Sequence, residues 1–121
     1  MLIHRTNGAW GESLAVRLLR RKHYKILGRN YSCKFGEIDI IAANKEYLAF
    51  VEVKLRQDDS HGMGREFVTA AKQQRLRQTA MIWLSKNPTE LQPRFDVIEI
   101  YAPEGTATKK PEINHLEDAF Q

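Results

Sequence analysis

Apolar and polar positions alternate along the chain in two periods. Gly11, Leu14, Ala15, Leu18 and Leu19 recur at helical spacing and predict a helix over residues 10–24 with one apolar stripe. Asn7 or Gly8 supplies a start signal, and Arg17, Arg20 and Arg21 lie away from most of the stripe. Gly28 closes the short run "YKIL", and "NYSCKFGEIDIIAA" then reads as extended. The polar break Asn44-Lys45-Glu46 predicts a hairpin turn into Tyr47–Leu55, the most strand-like segment of the chain. "RQDDSHGMGRE", residues 56–66, is polar with two glycines and predicts a loop. A second helix is expected from Glu66 to Ser85, closed by Asn87-Pro88, with Leu76, Ala80, Trp83 and Leu84 as its stripe and Lys72 on that same stripe. "RFDVIEIY", residues 94–101, alternates like a strand, and residues 103–111 read as a flexible polar loop. "INHLEDAF" fits a short strand or a helical turn equally. The order helix, three strands, helix, strand predicts one α/β domain over residues 1–121, with a central mixed sheet flanked by helices.

Three charges interrupt the apolar strands: Asp39, Glu52 and Lys54. Charges in core strands cost free energy unless something compensates them. Pairing Ala43 with Leu48 across the turn brings Asp39 opposite Glu52, where Cβ atoms stand about 4.5–5.5 Å apart and like charges repel. Lys54 shares the face of Glu52, because strand side chains alternate with period two. One reading is a cross-strand ion-pair network. The other is a divalent-metal site, since Mg²⁺ takes hard oxygen ligands, typically one or two carboxylates with waters and substrate phosphate. A metal would relieve the repulsion and activate a water for attack on phosphorus. Lys54 would then stabilise charge developing on that phosphate or orient the water.

Composition narrows the setting. The 121 residues are 42% hydrophobic and 28% charged, as in ordinary soluble domains with a real core. No apolar run approaches the roughly 18 residues of a membrane span, and the first dozen residues lack the apolar core of a secretory signal. The lone Cys33 forms no internal disulfide, which fits a reducing, cytoplasmic setting. The net charge of +4 is a mild hint of a polyanionic partner. Its two clusters, Arg17–Lys25 and Lys72–Gln78, are each read first as solvated helix faces. The four histidines show no metal-ligand spacing, and His61 reads as a plain loop residue. Trp10 and Trp83 are assigned to the core and Asp96 to structure.

An acid followed on the next strand by Glu-x-Lys resembles the PD-(D/E)xK nuclease superfamily. Asp39 matches the first acid and Glu52-Val53-Lys54 the second half, while Ile38 stands where the superfamily name has proline. "GEIDIIA", "FVEVKLR", Gly11-Glu12, Lys72, "RFDVI" and "HLEDAF" together resemble the bacterial YraN-like family, also called UPF0102. That family is similar to archaeal Holliday-junction resolvases, which place a glutamate on the first helix, and Glu12 is the matching position. The resemblance implies a restriction-endonuclease-like core and a Mg²⁺- or Mn²⁺-dependent endonuclease acting on DNA phosphodiester bonds, with branched or structured DNA as substrate. It implies Glu12, Asp39 and Glu52 as metal ligands beside a catalytic Lys54, and a homodimer. Glu12 also has a plain reading as a first-turn glutamate favoured by the helix dipole. Lys72, Arg75, Arg56 and Arg17 are the candidates for holding DNA phosphates, Lys72 because its stripe faces the sheet. Two other readings stay open: a nucleic-acid-binding protein on the same fold with little or no catalysis, and an interaction module with vestigial acids.

Overall fold

The computed structural model describes residues 2–57 and 68–121. Its elements are α1 (Leu2–Arg21), β1 (Lys25–Cys33), β2 (Gly36–Ala43), β3 (Tyr47–Arg56), α2 (Ala70–Lys86), β4 (Gln92–Tyr101), a 3₁₀ turn at Gly105–Ala107, and β5 (Glu112–Phe120). The five strands form one mixed sheet in chain order. Every neighbouring pair is antiparallel except β3 and β4, which run parallel. Parallel neighbours need a crossover connection, and α2 supplies it. No described helix is long and apolar enough to cross a membrane.

Both faces of the sheet are covered, so β3 reads as a nearly continuous apolar run. Ala49 and Val51 pack with Ala15, Val16 and Leu19 of α1 and with Ile98 and Ile100 of β4. Leu48 and Phe50 point to the opposite face and meet Leu76 and Ala80 of α2. Glu52 and Lys54 continue the face that α2 covers.

Several boundaries differ from expectation. The first helix runs through Asn7 and Gly8 and stops at Arg21, short of residue 24. Its end is set by geometry: His23 takes φ 70°, and its N–H reaches the Arg20 carbonyl while the Tyr24 N–H reaches that of Leu19. This is a Schellman cap, completed by Tyr24 and Leu19 meeting in the same core cluster. Gly28 does not close a strand; β1 passes through it with a bulge between Ile26 and Gly28. The long extended stretch is two strands joined by a tight turn at Lys34-Phe35. β3 continues to Arg56, a residue expected in the loop. The expected loop from residue 58 onward, and the expected helix start at Glu66, lie outside the described residues. The described α2 begins at Ala70 behind the cap residue Thr69. Residues 103–111 are not a plain loop: Gly105 is buried at φ 60°, and the Thr108 hydroxyl accepts the Glu104 N–H. The terminal segment resolves as β5, paired along β4 from Tyr101↔Glu112 to Phe95↔Phe120.

Candidate metal centre

The β2–β3 hairpin has the expected register, from Ala43↔Leu48 to Ile40↔Val51. The ladder ends there, one step before the two acids would face each other. Asp39 instead turns its carboxylate to the partner strand, where Oδ2 accepts the Val53 N–H at 2.8 Å. This satisfies a main-chain donor beyond the end of the ladder. Asp39 and Glu52 then line one cavity of about 120 Å³ with Gly36, Glu37, Lys72, Arg75 and Leu76.

Two ammonium groups reach Glu52. Lys72 Nζ donates to Glu52 Oε2, and Lys54 Nζ stands 3.6 Å from the same oxygen. Thr69 fixes where Lys72 begins its reach, since the Thr69 hydroxyl accepts the Lys72 N–H at 3.1 Å and caps α2. A Thr three residues ahead of a lysine at a helix start was the available sequence signal for this role.

The charges do not cancel evenly. Burial, then the negative charge of Glu52, pushes the Asp39 carboxyl up to about 7, against a downward pull from the Val53 N–H. Burial and the neighbouring Lys72 charge hold Lys54 below the ordinary lysine value. Burial acts the same way on Lys72, but its hydrogen bond and ion pair with Glu52 more than offset it, and Lys72 lies above that value. Both cations thus pair with Glu52, and Asp39 carries the larger unrelieved charge cost. That pattern suits a hard divalent cation, which would be held by two carboxylates with water completing its shell.

Glu12 stands further out. Its Oε1 accepts from Asn30 Nδ2 at 3.1 Å and lies 3.6 Å from Arg29, although its charge is felt at Asp39. Among the described residues, no three His, Cys, Asp or Glu side chains are grouped closely enough to hold one ion. Arg56 lies 2.5 Å from Glu99 across the β3–β4 pairing, with both side chains largely buried. A buried carboxylate needs a cation, and Glu99 occupies the arginine that was expected to meet phosphate. Arg75 lines the cavity, whereas Arg17 is exposed on α1, which packs on the other face. His61 lies outside the described residues. Gly36 and Glu37, which line the cavity, were not singled out from sequence, although they directly precede the "IDI" run.

Asp39 carries a pH-dependent expectation. A carboxyl at 3.8 when unfolded and about 7 when folded binds its proton more tightly in the folded state. Metal-free stability should therefore fall as pH rises from about 4 to 7 and level off above that. At 1.36 kcal/mol per pH unit the whole gap corresponds to roughly 4 kcal/mol. Since Glu52 shares the repulsion, Asp39→Asn should raise stability at pH 8 by about 2–4 kcal/mol and flatten the decline. Urea unfolding in EDTA at pH 5 and pH 8 measures both; equal stability of the two proteins at pH 8 would contradict it.

Comparison with known proteins places the chain. The profile described as "Uncharacterised protein family UPF0102" matches residues 11–100, a span that holds Glu12, Asp39, Glu52, Lys54 and Lys72. A UPF0102 protein of Caldanaerobacter subterraneus subsp. tengcongensis is 43% identical over 118 residues, covering 96% of this chain and 95% of its own. One from Geotalea daltonii is 43% identical, covering 97% and 91%. One from Syntrophotalea carbinolica is 44% identical over 114 residues, covering 93% and 89%. The chain belongs to the UPF0102 family.

Proposed function

We propose that this protein is a Mg²⁺- or Mn²⁺-dependent endonuclease that hydrolyses DNA phosphodiester bonds, on branched or otherwise structured DNA. The observation that carries the reading is the Asp39–Glu52 pair in one small cavity, with Asp39 pushed to about 7 and Lys54 beside Glu52. A protein seeking stability alone would place apolar residues there. The resemblance of Asp39 and Glu52-Val53-Lys54 to the PD-(D/E)xK pattern points the same way. Asp39 and Glu52 would hold the ion, with Glu12 adding negative charge from α1. When bound, the ion supplies Lewis acidity and lowers the pKa of a coordinated water. Lys54 meets negative charge developing on the phosphate, and Arg75 and Lys72 draw the neighbouring phosphates toward the cavity.

Ion pairs from both lysines already engage Glu52, and this favours one alternative: a nucleic-acid-binding protein with little or no catalysis. A single screen separates the two. Linear, nicked, flapped and four-way DNA are incubated with the protein in Mg²⁺, Mn²⁺ or EDTA. Metal-dependent cutting is expected, strongest on the structured forms. Binding without cutting in either metal would select the alternative, and neither would defeat both. Binding should also weaken with salt, at a log–log slope of about −0.9 per phosphate contact on duplex DNA. A slope near zero would exclude phosphate contacts by Lys72 and Arg75.

A further inference from the structure

β1 turns into β2 through Lys34 and Phe35, with Cys33↔Gly36 as the last pair. Gly36 carries φ 150°, and neither tip residue has positive φ. Among the described phenylalanines and tryptophans, Phe35 alone packs in neither core cluster, and it is only half-buried. Packing of the two core clusters does not account for an aromatic ring at this turn.

Its position matters more. Phe35 leads directly into Gly36 and Glu37, which line the cavity of Asp39 and Glu52. A Cβ at Gly36 would lie 3.7 Å from Arg75 Cβ and 3.6 Å from Thr79 Oγ1, so this end of the hairpin rests on α2. The exposed Lys34 stands with Nζ 5.2 Å from the Phe35 ring centroid. A partly exposed ring with Lys34 beside it therefore sits on the turn that leads directly into the cavity lining, where Glu37 is exposed and Arg75 lies across from Gly36. An aromatic ring with a cation beside it is the chemistry that holds single-stranded nucleic acid, in which bases stack on aromatics while cations hold the backbone. Paired bases already stack on one another and offer it no free face.

We propose that Phe35 is a stacking platform for an unpaired DNA base next to the phosphate at the cavity, with Lys34 holding the flanking backbone. This rests on the proposed function and narrows its substrate to DNA with unpaired bases at the cut position. A turn residue with no such role would affect all DNA forms alike or none.

The test uses the full chain in Ca²⁺ with three oligonucleotides of equal length: single-stranded, 5′-flapped and blunt duplex. Dissociation constants are measured for wild type, Phe35→Ala and Phe35→Trp, each first checked for folding by circular dichroism. In parallel, 2-aminopurine is moved one position at a time through the unpaired segment. Phe35→Ala should weaken single-stranded and flapped binding roughly tenfold, leave duplex binding within about twofold, and abolish a position-specific change in 2-aminopurine emission. Phe35→Trp should retain both. Equal weakening on all three DNAs, or none on any, would overturn the proposal while leaving the nuclease reading intact. A wild-type protein that binds none of them would overturn both.

Discussion

Asp96→Ala should destabilise the protein by about 3–5 kcal/mol, the usual cost of stripping one partner from a buried charge network. The carboxylate is fully buried. It accepts from Arg94 Nε and Nη2 at 2.9 Å each, and from the Asp118 N–H at 3.0 Å. Lys22 Nζ donates to His115 Nδ1, so His115 Nε2 carries the hydrogen that Asp96 receives at 2.7 Å. Arg94 also reaches the Tyr24 hydroxyl. One carboxylate thus ties the end of α1, strand β4 and strand β5 on the face away from the candidate metal centre. Without it, a buried guanidinium and a buried imidazole lose their acceptor. Against a total stability of typically 5–15 kcal/mol, the loss should show as a large drop in urea midpoint. Burial alone would raise the Asp96 pKa, but hydrogen bonds from His115, Arg94 and the Asp118 N–H hold it below the usual value. The wild-type contribution is therefore complete above about pH 4 and fades as pH falls further. The alanine variant should lack that part of the acid transition. A change below 1 kcal/mol would mean that the network adds little.

How far the sequence could be read depends on how far away each residue's partner lies. The β2–β3 register was legible because its determinants are local. Asn44 Oδ1 accepts the N–H groups of Glu46 and Tyr47, closing the turn, and the alternation beyond it fixes which side chains share a face. Placing Lys72 toward the sheet needed only helical spacing. The end of the ladder before Asp39 was not legible, since a carboxylate accepting the Val53 N–H obeys no period. The partner of Arg56 was not legible because Glu99 lies 43 residues away, and Arg29 and Asn30 beside Glu12 were not legible either, since they come from another element. The last strand was ambiguous for a similar reason. Its alternation breaks at a register shift opposite Phe95/Val97 and at Asp118, whose φ is 53°, and the Asp118 N–H bonds to Asp96, 22 residues earlier. At the start of the chain, Gly8 suggested a boundary, but its cost of about 1 kcal/mol inside a helix is small beside the packing of α1 on the sheet.

Lys54→Met should separate chemistry from binding. Lys54 is partly buried, 3.6 Å from Glu52, and shares that carboxylate with Lys72. Nonspecific DNA affinity sums over many phosphate contacts, so one lysine at the cavity should change it little. A cation where the transition state gains negative charge counts for far more, roughly 10²–10³-fold in rate by analogy with the loss of one oxyanion donor. Methionine keeps most of the aliphatic stem. Lys72 stays on Glu52, so that acid remains paired and the fold should hold. Removing the charge also leaves Lys72 without a repelling neighbour, which should tighten its hold on Glu52. The measurement is a single-turnover cleavage rate in Mg²⁺ beside a dissociation constant in Ca²⁺. The rate should fall by two to three orders of magnitude with affinity within about threefold. Equal losses in both would make Lys54 a binding residue. An unchanged rate would remove it from the reaction and leave the Glu52-Val53-Lys54 motif without its catalytic reading.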